Sequence, residues 1–255
     1  MISLSFDTDH MNEARMAEFL AEVAWPGGAT FFCTQPYNCL DRGSFELAPH
    51  PYLTGDRNWL DELRAKRAEF PKAVGWRAHS CVFSHTLAEW ISCNGYVYAS
   101  THDSVGLQGI RPHRHLWGVW HVPIYYMDNL DFSRHRFCPE TKEKPFDRSL
   151  IETACRPDGV YVFDFHPIHL LLNTPGPEWY LARRDDFLAG ERLATLRFDG
   201  YGARSFFDEL VCAMRTAAGE SLPIIKALNV FVGQEIRPRD VNTLSYKFEE
   251  TRLGL

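Results

Sequence analysis

The chain has 255 residues, of which 45% are hydrophobic, 24% charged and 14% aromatic, and carries a formal net charge of -6. That length suits one large α/β domain of roughly 200 to 250 residues, and a negative balance without any Lys/Arg cluster argues against a nucleic-acid backbone as partner. No apolar run approaches the ~20 residues of a membrane span, no basic stretch leads into a secretory apolar core, and seven cysteines without CxxC spacing read as reduced thiols of a cytoplasmic protein.

Ile2 to Phe6 reads as a short buried strand that ends in two acids one residue apart, Asp7 and Asp9. Side chains at i and i+2 of an extended chain point the same way, so both carboxylates project to one point. Two acids that close ionise together only when a cation or proton is shared between them. The competing expectation is that Asp9 caps the helix that follows. Asn12 to Val23 carries Met16, Phe19, Leu20 and Val23 at helical spacing and stops at Pro26-Gly27-Gly28. Ala29 to Cys33 is then a second buried strand, and strand-helix-strand favours parallel pairing.

Phe45 to Ala48 is a short third strand ending at Pro49-His50-Pro51, and Asp56 to Phe70 a helix with Asp56 as its N-cap. Ala73 to Ala78 resumes extended structure and delivers His79. A helix over Thr86 to Cys93 has Thr86 and Glu89 at capping-box spacing. Tyr96 to Ala99 is a fifth strand, and Leu116 to Tyr126 one long aromatic-rich extended run before Asp128. Residues 130 to 157 read as a long loop or lid with some helix. Gly159 to Phe165 is a clear strand ending at His166-Pro167, Ser205 to Met214 is a helix, and a last helix is expected near 220 to 229.

Asp7 and Asp9, His50, His79 and His166 thus stand at the ends of four strands, as functional residues do at the C-terminal face of a parallel barrel. Imidazole with carboxylate suits zinc or another divalent first-row metal. In that order, Ser5-Phe6-Asp7-Thr8-Asp9, Ala29-Thr30-Phe31-Phe32, Glu46-Leu47-Ala48-Pro49-His50, Gly75-Trp76-Arg77-Ala78-His79 and Phe165-His166-Pro167 resemble the motifs of the polysaccharide deacetylase superfamily. These are the NodB-type carbohydrate esterases of family four, and the pattern most resembles their divergent WbmS-like subgroup of O-antigen gene clusters. The similarity covers roughly residues 1 to 175.

The resemblance implies a distorted (β/α) barrel with about seven parallel strands, in a single domain over 1 to 255 with 176 to 255 as a C-terminal extension. It implies a metal-dependent hydrolase that removes an acyl group from a sugar of a surface-polysaccharide precursor. Asp7 is then the general base, His166 the general acid and Arg77 the residue that orients the base, while Asp9 and His50 bind a divalent ion, zinc in the first instance. Where the family has its second histidine ligand this chain has Thr54, and His79 is the surrogate. Asp128, Trp120 and Tyr52 are expected to meet the carbohydrate. Two rivals remain open. One is a silent carbohydrate-binding protein of the same fold, motivated by Thr54. The other is an unrelated metal module using His113, His115 and His121, the first two on one face of a strand. His169, Cys33 and Cys81 are expected to be structural, and oligomeric state is not legible.

Overall fold

The computed structural model describes residues 1–41, 43–53, 55, 58–137 and 145–238. Nine strands form two sheets: β1 (Ile2–Asp7), β2 (Ala29–Cys33), β3 (Phe45–Pro49), β4 (Gly75–Trp76), β5 (Tyr98–Ala99), β6 (His113–Arg114), β7 (Trp120–His121), β8 (Ile124–Met127) and β9 (Tyr161–Phe165). The larger sheet runs β3-β2-β1-β9-β8 with every pairing parallel, and the smaller runs β4-β5-β7-β6 with only β6 antiparallel.

Backbone hydrogen bonds join the two sheets at both sides. His79 N–H donates to the Pro51 carbonyl at 2.9 Å beyond β3 and β4, while Ile124 N–H of β8 donates to the His102 carbonyl beyond β5 at 2.7 Å. The expected single run through Leu116 to Tyr126 is therefore two strands in different sheets. Pro123 has no N–H to continue the ladder, and a register shift between Ile124 and Tyr126 bends the chain from β5 across to β9. Taking β7 and β8 as one bent wall element, seven parallel strands surround the interior, and the wall is interrupted between β3 and β4.

Alternation along β1 decides what lies on each side of that wall. Ile2, Leu4 and Phe6 take one face, Ser3, Ser5 and Asp7 the other. On the outer side Phe6 touches the rings of Phe19, Trp25, Phe31, Phe165 and Phe207, with centroids 5.0 to 6.5 Å apart. Phe19 comes from α1 (Glu13–Glu22) and Phe207 from a helix over Ala203–Ala213. The inner core is smaller and comprises Phe32, Ala48, Tyr98, Val162 and their neighbours, together with Ile224, Ala227 and Leu228 of the last described helix. That helix, Ile224–Val232, is anchored through its first turn. Ile224 N–H donates to Thr30 Oγ1 (2.8 Å) and Ile225 N–H to the Glu46 carboxylate (3.1 Å), so inward-facing β2 and β3 side chains satisfy N–H groups that a helix start leaves open.

Several ends differ from the sequence reading. Asn58, not Asp56, caps the helix Trp59–Glu69 by accepting from Leu60 N–H at 3.0 Å; Asp56 and Thr54 lie outside the described residues. Ser84, not the Thr86/Glu89 pair, caps His85–Cys93, because the helix begins one residue early. The expected lid contains a helix over Asp128–Phe137 and another over Ser149–Ala154. Four short helices between Pro167 and Leu196 were not anticipated, each too brief to show a helical period. Among the described residues no helix is long and apolar enough to cross a membrane.

Since Phe6 links both flanking helices to three strands, Phe6→Ala is expected to cost about 3–5 kcal/mol, measured by urea unfolding. A loss below about 1 kcal/mol would show that the aromatic shell closes over the gap.

Candidate active site

At the end of β1 the chain turns at once. Thr8 N–H donates to the Phe32 carbonyl at 3.0 Å, Met11 N–H to the Thr8 carbonyl at 3.3 Å, and His10 adopts a left-handed backbone with φ 61°. Asn12 caps α1 by accepting from Arg15 N–H at 2.9 Å, so Asp9 has no capping duty. Asp7 and Asp9 are both buried, and both line a cleft of about 400 Å³ with His50, His79, Asn129 and His166, walled by Met127 and Leu130. A larger cavity of about 630 Å³ lies at the opposite ends of the strands, beside Met1 and Gly159, and contains none of the metal-ligating groups described below.

Arg77 leaves β4 directly beneath Asp7 and is fully buried. Its Nη1 donates to Asp7 Oδ1 at 2.8 Å and also to Asp164 Oδ1, its Nε to the Ser100 carbonyl at 2.6 Å and its Nη2 to Ser100 Oγ at 2.9 Å. The guanidinium lies 4.0 Å from the centre of the Phe32 ring. Burial opposes its charge, and Asp164 and Asp7 outweigh that penalty.

Asp9, His50 and His79 converge on one point. His50 Nδ1 donates to the Arg77 carbonyl at 3.1 Å, which turns Nε2 toward Asp9 Oδ2 at 3.3 Å. His79 brings Nδ1 to 3.2 Å from Asp9 Oδ1, and its ring stacks on Tyr52 at 4.3 Å. Burial disfavours an ionised Asp9, but His166, His50 and His79 together hold it far below the usual carboxylate range. Burial likewise disfavours a charged His50, and Asp7 and Asp9 raise it above its ordinary value nonetheless.

Opposite stands His166. Its Nδ1 donates to Asp128 Oδ1 at 2.7 Å, its backbone N–H to Asp128 Oδ2 at 2.8 Å, and its Nε2 lies 3.0 Å from the side-chain amide of Asn129. Burial pushes the imidazolium down, yet Asp128 overrides it and sets His166 well above the ordinary value. The other end of that amide lies 2.7 Å from His169 Nε2, and burial lowers the pKa of His169 to about 4.

Three sets of residues bring metal-ligating atoms within 4.8 Å of one another: Asp9, His50 and His79; Asp128, His166 and His169; and Asp7, Asp9 and His166. In the second set both nitrogens of each histidine already have protein partners. In the first set Asp9 Oδ2, His50 Nε2 and His79 Nδ1 are shielded from solvent and have no hydrogen-bond partner. Buried lone pairs left open in this way are what a cation would complete. The one-carboxylate, two-imidazole set fits a divalent ion.

Residues 4–184 match the family model described as "WbmS-like: Polysaccharide deacetylase". The chain belongs to the WbmS-like polysaccharide deacetylase family. Among solved structures it is similar to a proposed polysaccharide deacetylase involved in O-antigen biosynthesis from Bordetella bronchiseptica, with TM-score 0.69 and 23% identity over 83% of this chain and 89% of that one. It is also similar to a 4-α-glucanotransferase from Thermococcus litoralis (TM-score 0.50, 14% identity, 90% of this chain and 38% of that one). A proposed polysaccharide deacetylase from Mycobacterium smegmatis follows (TM-score 0.49, 18% identity, 96% and 93%). No curated protein matches the sequence.

In this WbmS-like chain Asp7, Asp9, His50, Tyr52, Arg77, His79 and His166 come together around one site, while three expectations change. Asp128 is fully buried behind His166 with both oxygens engaged, so it braces that histidine and does not meet a carbohydrate. Trp120 is absent from the cleft lining and borders a separate hollow with Tyr96 and Arg114, because strand alternation turns it away from buried His121. His113, His115 and His121 gather their rings but not three ligand atoms within reach of one ion. Tyr52 directs its hydroxyl at Asp9 Oδ1. Asn129 and Asp164 escaped the sequence reading, although an acid two residues before His166 in an otherwise apolar strand was a signal that it faces the same side.

One divalent ion per chain is expected in titrations of chelator-treated protein with Zn²⁺. Asp9→Ala and His50→Ala should abolish binding, and His79→Ala should weaken it by at least the ~10–100-fold that even a supporting partner costs. His50 binds a proton above its ordinary pKa and must lose it to ligate, so affinity should fall as pH drops through and below neutrality. Unchanged affinity in His79→Ala would remove that residue from the ligand set.

Proposed function

We infer that this protein is a metal-dependent hydrolase that removes an acyl group, acetyl in the first instance, from a sugar of a surface-polysaccharide precursor. The observation that carries this reading is the pairing of two differently equipped groups across the open ligand triad. On one side is Asp7, bonded to Arg77. On the other is His166, bonded to Asp128. The printed role of the Bordetella bronchiseptica neighbour in O-antigen biosynthesis supports the substrate class.

Asp9, His50 and His79 would hold the ion, which we take to be zinc; when bound it would polarise the acyl carbonyl and lower the pKa of a water. Asp7 accepts the proton of the attacking water through Oδ2, the oxygen that Arg77 leaves free. His166 donates from Nε2 to the leaving nitrogen or oxygen as the carbon–heteroatom bond breaks, its ring held by Asp128. Tyr52 fixes Asp9 through its hydroxyl, and Met127 and Leu130 form the apolar wall that an acyl methyl would meet.

We further read residues 1–255 as one working unit, because the helix Ile224–Val232 packs into the inner core. A reducing, cytoplasmic setting is supported by the spacing of the seven cysteines, which forms no CxxC pair.

Asp7→Asn and His166→Gln are each expected to lower acetate release from acetylated amino sugars by ~10²–10⁴-fold with little change in metal content. Release at the wild-type rate by Asp7→Asn would overturn the base assignment, and no release by the metal-loaded wild type from N- or O-acetylated sugars would favour the silent carbohydrate-binding reading. The acid form of His166 is lost as pH rises through its raised pKa, so activity should fall on the alkaline side. Asp128→Asn removes the group that raises it and should move that limb to lower pH, read from a kcat–pH profile.

A further inference from the structure

Asp164, like Asp128, is a buried carboxylate beside the site that borders no part of the cleft. It lies on β9 opposite Ser5 of β1, fully buried, and its Oδ1 accepts from both Ser5 Oγ and Arg77 Nη1. Its Oδ2 is shielded from solvent and has no partner. The same Arg77 Nη1 donates to Asp7 Oδ1, so a single nitrogen is divided between the proposed base and a second acid beneath it.

We propose that Asp164 is a positioning residue whose protonation state decides how firmly Arg77, and through Arg77 the carboxylate of Asp7, is held in place. The proposal rests on reading Asp7 as the base. Ionised Asp164 gives Arg77 a charged anchor at Oδ1, and the guanidinium is fixed between two carboxylates and the Ser100 carbonyl. Protonation at the open Oδ2 leaves Oδ1 a neutral acceptor, and a charge-assisted bond becomes an ordinary one of roughly half the strength. Arg77 is then free to shift toward Asp7, and the base loses its setting.

The groups facing Asp164 come from three elements: Ser5 and Asp7 on β1, Arg77 after β4, and His166 after β9. Burial pushes the acid up against the opposing effect of Arg77, and the result is a pKa near 7, where a modest change of pH changes its state. Asp164 itself touches no substrate, so the effect belongs in kcat and not in KM.

The test follows aspartate carboxyl carbons and arginine side-chain N–H signals by NMR in ¹³C,¹⁵N-labelled full-length protein, from about pH 5.5 to pH 8.5. One aspartate is expected to titrate near neutrality, the Arg77 signals to move with the same midpoint, and both changes to vanish in Asp164→Asn. Ser5→Ala keeps the acid but removes a hydroxyl that favours its ionised form, so the midpoint should rise, which preserves the test if Asp164→Asn fails to fold. In acetate-release assays Asp164→Asn should lose on the order of 10-fold in kcat at pH 8, keep its KM, and lose the step in kcat at that midpoint. If no aspartate titrates in this window, or if the titrating signal survives in Asp164→Asn, the proposal is overturned. If the NMR changes appear but no acylated sugar is hydrolysed, the functional reading falls and the coupling of Asp164 to Arg77 stands.

Discussion

A buried guanidinium organises this molecule. Taking an arginine wholly out of water costs several kcal/mol unless partners surround it, and Arg77 meets that demand with two carboxylates, a serine hydroxyl, a backbone carbonyl and an aromatic face. Those partners sit on β1, β2, β9 and the segment after β5, so the charge ties the larger sheet to the smaller one where the wall has no continuous ladder. The polar interior at the C-terminal end of the strands follows from this. Ser5, Asp7 and Asp164 face inward where Arg77 is there to receive them, whereas at the other end of β9 the same face carries Val162, packed with the apolar side of the last helix.

Two interiors with different chemistry are thereby separated by one layer of backbone. Outside the wall Phe6, Phe19 and Trp25 pack edge to face while Phe6 stacks on Phe31, and these rings set the positions of the strands. Inside, hydrogen bonds and charge set the positions of the functional groups. A side chain in β1 belongs to one regime or the other purely by the parity of its number. This explains why Asp7, and not its neighbour Phe6, reaches the cleft.

Parity and strand ends were also what the sequence made legible. Asp7, Asp9, His50, His79 and His166 follow strand-like runs closely enough that their convergence could be read from order alone, and the central strands β1 and β9 were evident from apolar residues that alternate with serine in β1 and are interrupted only by Asp164 in β9. What stayed hidden depends on distance in space. Asp128 reads like another strand-end acid, and only the placement of β8 beside β9 turns it away from the cleft and onto His166. Trp120 was assigned to the site because an aromatic run gives no sign of where it bends; Pro123 was the available clue. Asn129 and Asp164 are chemically ordinary in sequence and acquire their importance from partners 37 and 87 residues away.

The turns that follow Asp9 and His79 concentrate backbone strain. Five non-glycine residues among those described have positive φ, and three of them, His10, Ser80 and Cys81, directly follow Asp9 or His79. Each such residue costs on the order of 1 kcal/mol or more, so neither turn would hold its shape without contacts that over-determine it. Those contacts are present: Asp9 is gripped by Tyr52, and the backbone of His79 is tied to Pro51. The strain and the open lone pairs therefore coincide. The histidines around Asp9 outweigh its burial, which is why that acid is not neutralised. A divalent ion would compete with protons for these lone pairs, and the contacts that hold the two turns keep the lone pairs aimed at one point.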